Sequence, residues 1–124
     1  MRIDELSFRR GKEIVAAKPE ILASILAAIV NAQEAHLRNS RVSITTHLQR
    51  EFLAEGWPQY KSKASFLNQR IAVEISYSGS KIEILTNKKI AGAVIITKAA
   101  RLPVIRTILQ RRAASVPIWL IGLK

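Results

Sequence analysis

The chain has 124 residues, 48% of them hydrophobic, which is enough for one core and too apolar for intrinsic disorder. It has no cysteine, which excludes a disulfide framework, a thiolate zinc site and a cysteine nucleophile; two histidines, His36 and His47, cannot alone build a multi-histidine metal centre. The formal charge is +11 and uneven: residues 1–55 carry eight basic and seven acidic side chains, residues 56–124 twelve basic ones and only Glu74 and Glu83 as acids.

That asymmetry predicts a polyanionic partner, nucleic acid first and an anionic membrane surface second, against a plain solvated surface. No apolar run approaches the ~20 residues that span a bilayer. The charged start, MRIDELSFRRGKE, lacks the apolar core of a secretory signal, so a cytoplasmic protein is expected.

The first predicted element is a helix over residues 19–37. Pro19 suits a first helical position, where its missing N–H would be unpaired anyway. Ile21, Leu22, Ile25, Leu26, Ile29 and Val30 then form one apolar stripe. Polar residues 38–42 break the pattern. A second helix is predicted over residues 43–55, with Ser43 as N-cap and Ile44, Leu48 and Phe52 on one face; Gly56-Trp57-Pro58 stops it. Each histidine falls on one of these helices and is expected to be exposed or partly buried.

The period then shortens. Residues 63–67 and 70–76 read as strands joined at Asn68-Gln69, a hairpin. Residues 78–91 read as neither helix nor strand alone. Ala93-Val94-Ile95-Ile96-Thr97 reads as a fully buried strand. Helical spacing returns over residues 99–114, with Val104, Ile105, Ile108 and Leu109 inside and Arg101, Arg106, Arg111 and Arg112 on the polar side. Residues 116–123 form a last apolar strand, and Pro117 suggests an edge or first-residue position. After the first helix the order is α-β-β-(unassigned)-β-α-β, an α/β domain with one sheet of about four strands covered by helices. No linker or repeat interrupts it, so 1–124 reads as a single compact domain, helical over 13–56 and sheet-containing over 60–124.

The segment KSKASFLNQRIAVEIS, residues 61–76, resembles the hairpin of the PD-(D/E)XK nuclease superfamily, the type II restriction endonucleases of the BglII and BamHI type. AVIITK (93–98), VPIWLIGL (116–123) and Trp57 extend the likeness thinly along the chain. The resemblance implies a restriction-endonuclease-like core, α-β-β-β-α-β, with a central mixed sheet. In that family an Asp on the first strand precedes a Glu by nine residues, and a Gln, Glu or Lys follows two later. The Glu-X-polar spacing puts both side chains on one strand face. These groups hold a magnesium ion that polarises the phosphate and activates water.

Glu74 matches the glutamate, but Ser65 stands where the aspartate belongs and Ser76 where the third group belongs. A serine hydroxyl cannot replace the missing charge, so the resemblance implies weak or no Mg2+ binding and weak or no cleavage. A relocated carboxylate would have to come from Glu51 or Glu55, whose plainer reading is as solvated helix-end charges. Whatever the chemistry, the implied surface is DNA-binding: Lys61, Lys63, Arg70, Lys81, Lys88, Lys89, Lys98 and Arg101 lie in or near the hairpin and its neighbouring turns. Tyr60 and Tyr77 flank the hairpin and could stack on bases, although packing is the plainer role. Partners implied are DNA and a second copy in a homodimer, with no small-molecule cofactor. The alternatives are an active magnesium-dependent endonuclease, a regulatory or structural partner of another nuclease, and a membrane-binding C-terminal half.

Overall fold

The computed structural model describes residues 2–7, 19–78, 81–87, 89–111 and 116–123. The chain is α/β. In order it forms β1 (Arg2–Ser7), α1 (Pro19–Arg38), α2 (Ile44–Ala54), β2 (Gln59–Tyr60), β3 (Ser62–Asn68), β4 (Ile71–Ser78), β5 (Lys81–Thr86), β6 (Lys89–Lys98), a 3-10 turn (Ala99–Arg101), α3 (Leu102–Gln110) and β7 (Pro117–Leu123). Its contacts group into two compact units, Ala16–Glu74 and Met1–Val15 with Ile75–Lys124, so β4 is divided between them.

The Ala16–Glu74 unit holds the two helices and the order β4-β3-β2, antiparallel throughout. Glu20 in the first turn of α1 and His36 and Arg38 in the last match the helix dipole. Ile25, Ala28, Ile29 and Ala32, fully buried at i, i+3, i+4, i+7, give α1 its packing face. Ser43 caps α2: its hydroxyl accepts the Thr46 amide at 3.2 Å. The helix ends in a Schellman turn. Gly56 sits at φ +85°, its amide donates to Leu53 O at 3.0 Å, and the Trp57 amide donates to Phe52 O at 2.7 Å. That turn delivers Trp57 into the core, where its indole N–H donates to Ser24 Oγ at 3.0 Å. Phe52 stacks on Phe66 with ring centroids 4.1 Å apart and meets Trp57 edge-on at 6.2 Å.

The second unit carries a five-stranded mixed sheet in the order β1-β7-β6-β5-β4. β6 and β7 are parallel and joined through α3, a β-α-β crossover; β1 pairs antiparallel with β7, and β5 with β6. Paired residues share a sheet face, so Ala93, Ile95, Thr97, Ile118, Leu120 and Gly122 lie on one side. Ala93, Leu102, Ile118 and Leu120 form the core under α3, with Ile95, Ile105 and Leu109 packed against it. Gly122 makes this possible. A Cβ there would meet Leu102 Cδ1 at 2.7 Å and Ala99 Cα at 2.9 Å, so the absent side chain lets the corner after β6 sit directly on β7.

Several expectations change. Residues 78–91, left unassigned by the sequence, contain β5 and the start of β6. β1 was not expected at all. The hairpin turn is Gln69-Arg70 rather than Asn68-Gln69, with Gln69 at φ +57°. The last helix is shorter than 99–114: it opens with the 3-10 turn, ends at Gln110, and 112–115 lie outside the described residues. Pro117 is the first residue of its strand, but β7 is not an edge, since β1 and β6 flank it. His36 is partly buried, as expected. His47 is buried instead, and the two rings meet edge-on at 5.6 Å. His36 Nδ1 donates to Val42 O and His47 Nε2 to Asn39 O, each at 3.0 Å, so both rings brace the turn between α1 and α2. A carbonyl only accepts, which places a proton on each of those nitrogens.

Candidate nucleic-acid interface

In the β3–β4 hairpin, Glu74 and Ser76 lie two apart on one face of β4, and Ser65 lies across from Glu74. Ser65 and Glu74 are directly opposed across β3 and β4 and share a face. Ser65 is 5% exposed and its hydroxyl lies 2.9 Å from that of Ser62, so it is spent on a local hydrogen bond. Along β4 the exposed Glu74 and Ser76 alternate with buried Val73 and Ile75. Glu51 is half-buried in the last turn of α2, and Glu55 is its exposed C-cap. Among the described residues, no three of His, Cys, Asp or Glu come together in a group able to hold a metal ion.

The cations named from the sequence differ in their surroundings. Lys63 near the start of β3 and Arg70 in the turn after it are both exposed, but the strand between them holds them about 20 Å apart. Lys61, at φ +62°, places its ammonium 5.0 Å over the Tyr60 ring, which covers one face of that ring. Lys81 lies 3.0 Å from the Glu83 carboxylate, so part of its field is neutralised locally. Lys88 lies outside the described residues, and only the backbone of Lys89 is described. Tyr77 is half-buried, its hydroxyl shut away from solvent and without a hydrogen-bond partner among the described residues; that burial pushes the phenol up above its ordinary range. Packing is its role here.

Lys98 and Arg101 are different. Both are exposed, and they bracket the 3-10 turn at the carboxyl end of β6, beside the carboxyl end of the parallel β7. In open α/β sheets, ligands gather at that end of the strands. Arg111, the exposed C-cap of α3, adds a further cation on the same helix. Sequence reasoning put Arg111 on the polar side of its helix but not in the interface. The signal that could have found it was the absence of any acid after Glu83: residues 84–124 hold eight basic side chains and no Asp or Glu.

No helix among the described residues is long and apolar enough to cross a membrane. Compared with known proteins, the chain matches no family model, no curated protein and no solved structure.

Proposed function

We propose that this protein binds DNA through the basic surface around Lys98, Arg101 and Arg111, and that it cleaves DNA weakly or not at all. The observation that carries the reading is the acid-free stretch after Glu83, in which the exposed Lys98 and Arg101 sit at the carboxyl end of the parallel strands and the exposed Arg111 stands at the other end of α3. Phosphate contacts need placed charges, and the exposed Lys98 and Arg101 supply them at this corner. The helix α2, the β3–β4 hairpin and the parallel β6-α3-β7 crossover support a reading as a restriction-endonuclease-like core, but β5, between β4 and β6, adds a strand to the expected α-β-β-β-α-β order. Ser65 in place of a carboxylate, already hydrogen-bonded to Ser62, supports a binding role over a magnesium-dependent one. A homodimer, seen as doubled mass by light scattering, is the expected assembly.

Fluorescence anisotropy with a labelled duplex, repeated across a salt series, tests the reading. Affinity is expected to fall steeply with salt and similarly for unrelated sequences. Reversing Lys98, Arg101 or Arg111 to Glu should weaken every duplex and flatten the salt slope by about 1 for each phosphate that is no longer neutralised. No binding at low salt, or binding indifferent to these reversals, would refute it. Plasmid incubated with magnesium or manganese should stay intact; cutting abolished by Glu74→Ala would instead establish a nuclease with a relocated ligand.

A further inference from the structure

α3 is more apolar than its sheet requires. Leu102, Ile105 and Leu109 are the side turned to the core. Val104 and Ile108 continue the apolar arc beyond it, yet they are 62% and 48% exposed. They form one wall of a groove of about 400 Å³ whose lining is Ile95 and Thr97 of β6 with Arg101, Val104, Ile105 and Ile108. On β5, Lys81 pairs with Ile95 and shares its face, so the Lys81–Glu83 ion pair stands beside the groove floor.

The cations along this helix are placed, not scattered: Arg101 lines the groove, and Arg111 caps the helix beyond it. Arg101, Val104, Ile108 and Arg111 follow one another at steps of three, four and three, along one face of the helix. Two aliphatic side chains are therefore flanked by a guanidinium at each end, about 15 Å apart at 1.5 Å per residue. Both arginines are exposed, and no acid follows Glu83 to neutralise them. An apolar groove with Arg101 in its lining, and with the exposed Arg111 one helical turn beyond Ile108, is complementary to one kind of occupant.

We infer that this groove docks an acidic amphipathic segment of a partner protein, with aliphatic anchors at i and i+4 filling the space over Ile95 and Thr97 and carboxylates meeting Arg101 and Arg111. Helix-in-groove recognition uses that spacing. A bilayer surface complements the site less well, because it cannot enter a concavity and only two apolar residues stand proud to insert. The inference goes beyond DNA binding, although it shares Arg101 and Arg111 with it; the aliphatic residues separate the two.

The probe is a fluorescein-labelled synthetic peptide of about fifteen residues, with central leucines at i and i+4 and glutamates in the flanking turns. Against the full chain, anisotropy should show binding that weakens at least tenfold in Val104→Ser/Ile108→Ser and in Arg101→Ser/Arg111→Ser. The same peptide with serines for leucines should not bind. Labelled duplex DNA should bind the Val104→Ser/Ile108→Ser variant as it binds the wild type, so loss of either activity alone identifies which reading has failed. Methyl NMR of the unmutated chain needs no variant: the Ile95, Ile105 and Ile108 methyls should shift on peptide addition. Unshifted methyls, undiminished binding of the serine peptide, or capture by anionic vesicles without peptide binding would each overturn the inference.

Discussion

Gly92 on β6 has no room for a side chain. A Cβ there would lie 1.9 Å from Trp119 Cζ3, 2.6 Å from Cη2 and 3.1 Å from the Pro117 carbonyl oxygen. Carbon atoms rest at about 3.5–4.0 Å, so in Gly92→Ala the indole must withdraw by at least about 1.6 Å. Trp119 is 3% exposed on a strand flanked on both sides, and its partner across the parallel ladder is Val94. A flexible side-chain tip could yield a few tenths of an ångström; a buried indole has to be re-seated. Overpacking of this kind costs about 1–3 kcal/mol, and full ejection of the ring would approach the roughly 3–5 kcal/mol of a Trp→Ala truncation. Against this, replacing glycine restricts the unfolded chain, a gain of about 0.4–1 kcal/mol. The net expectation is a loss of about 2 kcal/mol, or roughly 8 °C in Tm at about 4 °C per kcal/mol. Urea and thermal melts followed by far-UV circular dichroism measure it. In a double-mutant cycle Trp119→Leu should rescue Gly92→Ala, with the pair at least about 1 kcal/mol less destabilised than the sum. If Gly92→Ala melts within about 2 °C of the wild type, or the two effects simply add, the close approach does not govern the packing of this sheet.

Two further outcomes are expected. Tyr77→Phe removes a buried hydroxyl that has no partner among the described residues, so stability at neutral pH should hold or rise by up to about 1 kcal/mol in a denaturant titration. The folded state holds the Tyr77 proton more tightly than the unfolded phenol, whose ordinary value is 10.0. The wild type should therefore lose stability progressively as pH rises past about 10, the unfolded chain ionising first, and Tyr77→Phe should lose less; identical alkaline slopes would refute this. Ser65→Asp puts a carboxylate at a buried position opposite Glu74 and breaks the Ser62 hydrogen bond, a cost of about 1–3 kcal/mol. With two carboxylates then facing each other, millimolar magnesium should raise the Tm of Ser65→Asp and leave the wild type unmoved; equal shifts in both would show that Ser65 is not what limits metal binding.

What the sequence determined was local. Pro19, the Ile/Leu stripe, the Ser43 cap and the Gly56 stop define α1 and α2, because each works through neighbours within a turn or two of the chain. Alternation also fixed the β3–β4 hairpin to within a residue or two, but its register, and with it the opposition of Ser65 and Glu74, follows from the turn at Gln69-Arg70 that only the structure shows. Pairing across the chain was not legible. β1, a six-residue strand with a charged sequence, gains its place from the ladder with β7 from Arg2↔Gly122 to Ser7↔Pro117, which no local pattern encodes. The same pairing makes β7 an interior strand despite Pro117. The charge excess was plain in composition, but composition has no geometry. Only the fold holds Lys63 and Arg70 at opposite ends of a strand, pairs Lys81 with Glu83, and seats Lys98 and Arg101 on a corner that exists because Gly122 has no side chain. Short-range sterics act between residues close in sequence; strand order and the grouping of charges follow from contacts between residues far apart in it, and those are decided when the sheet is built.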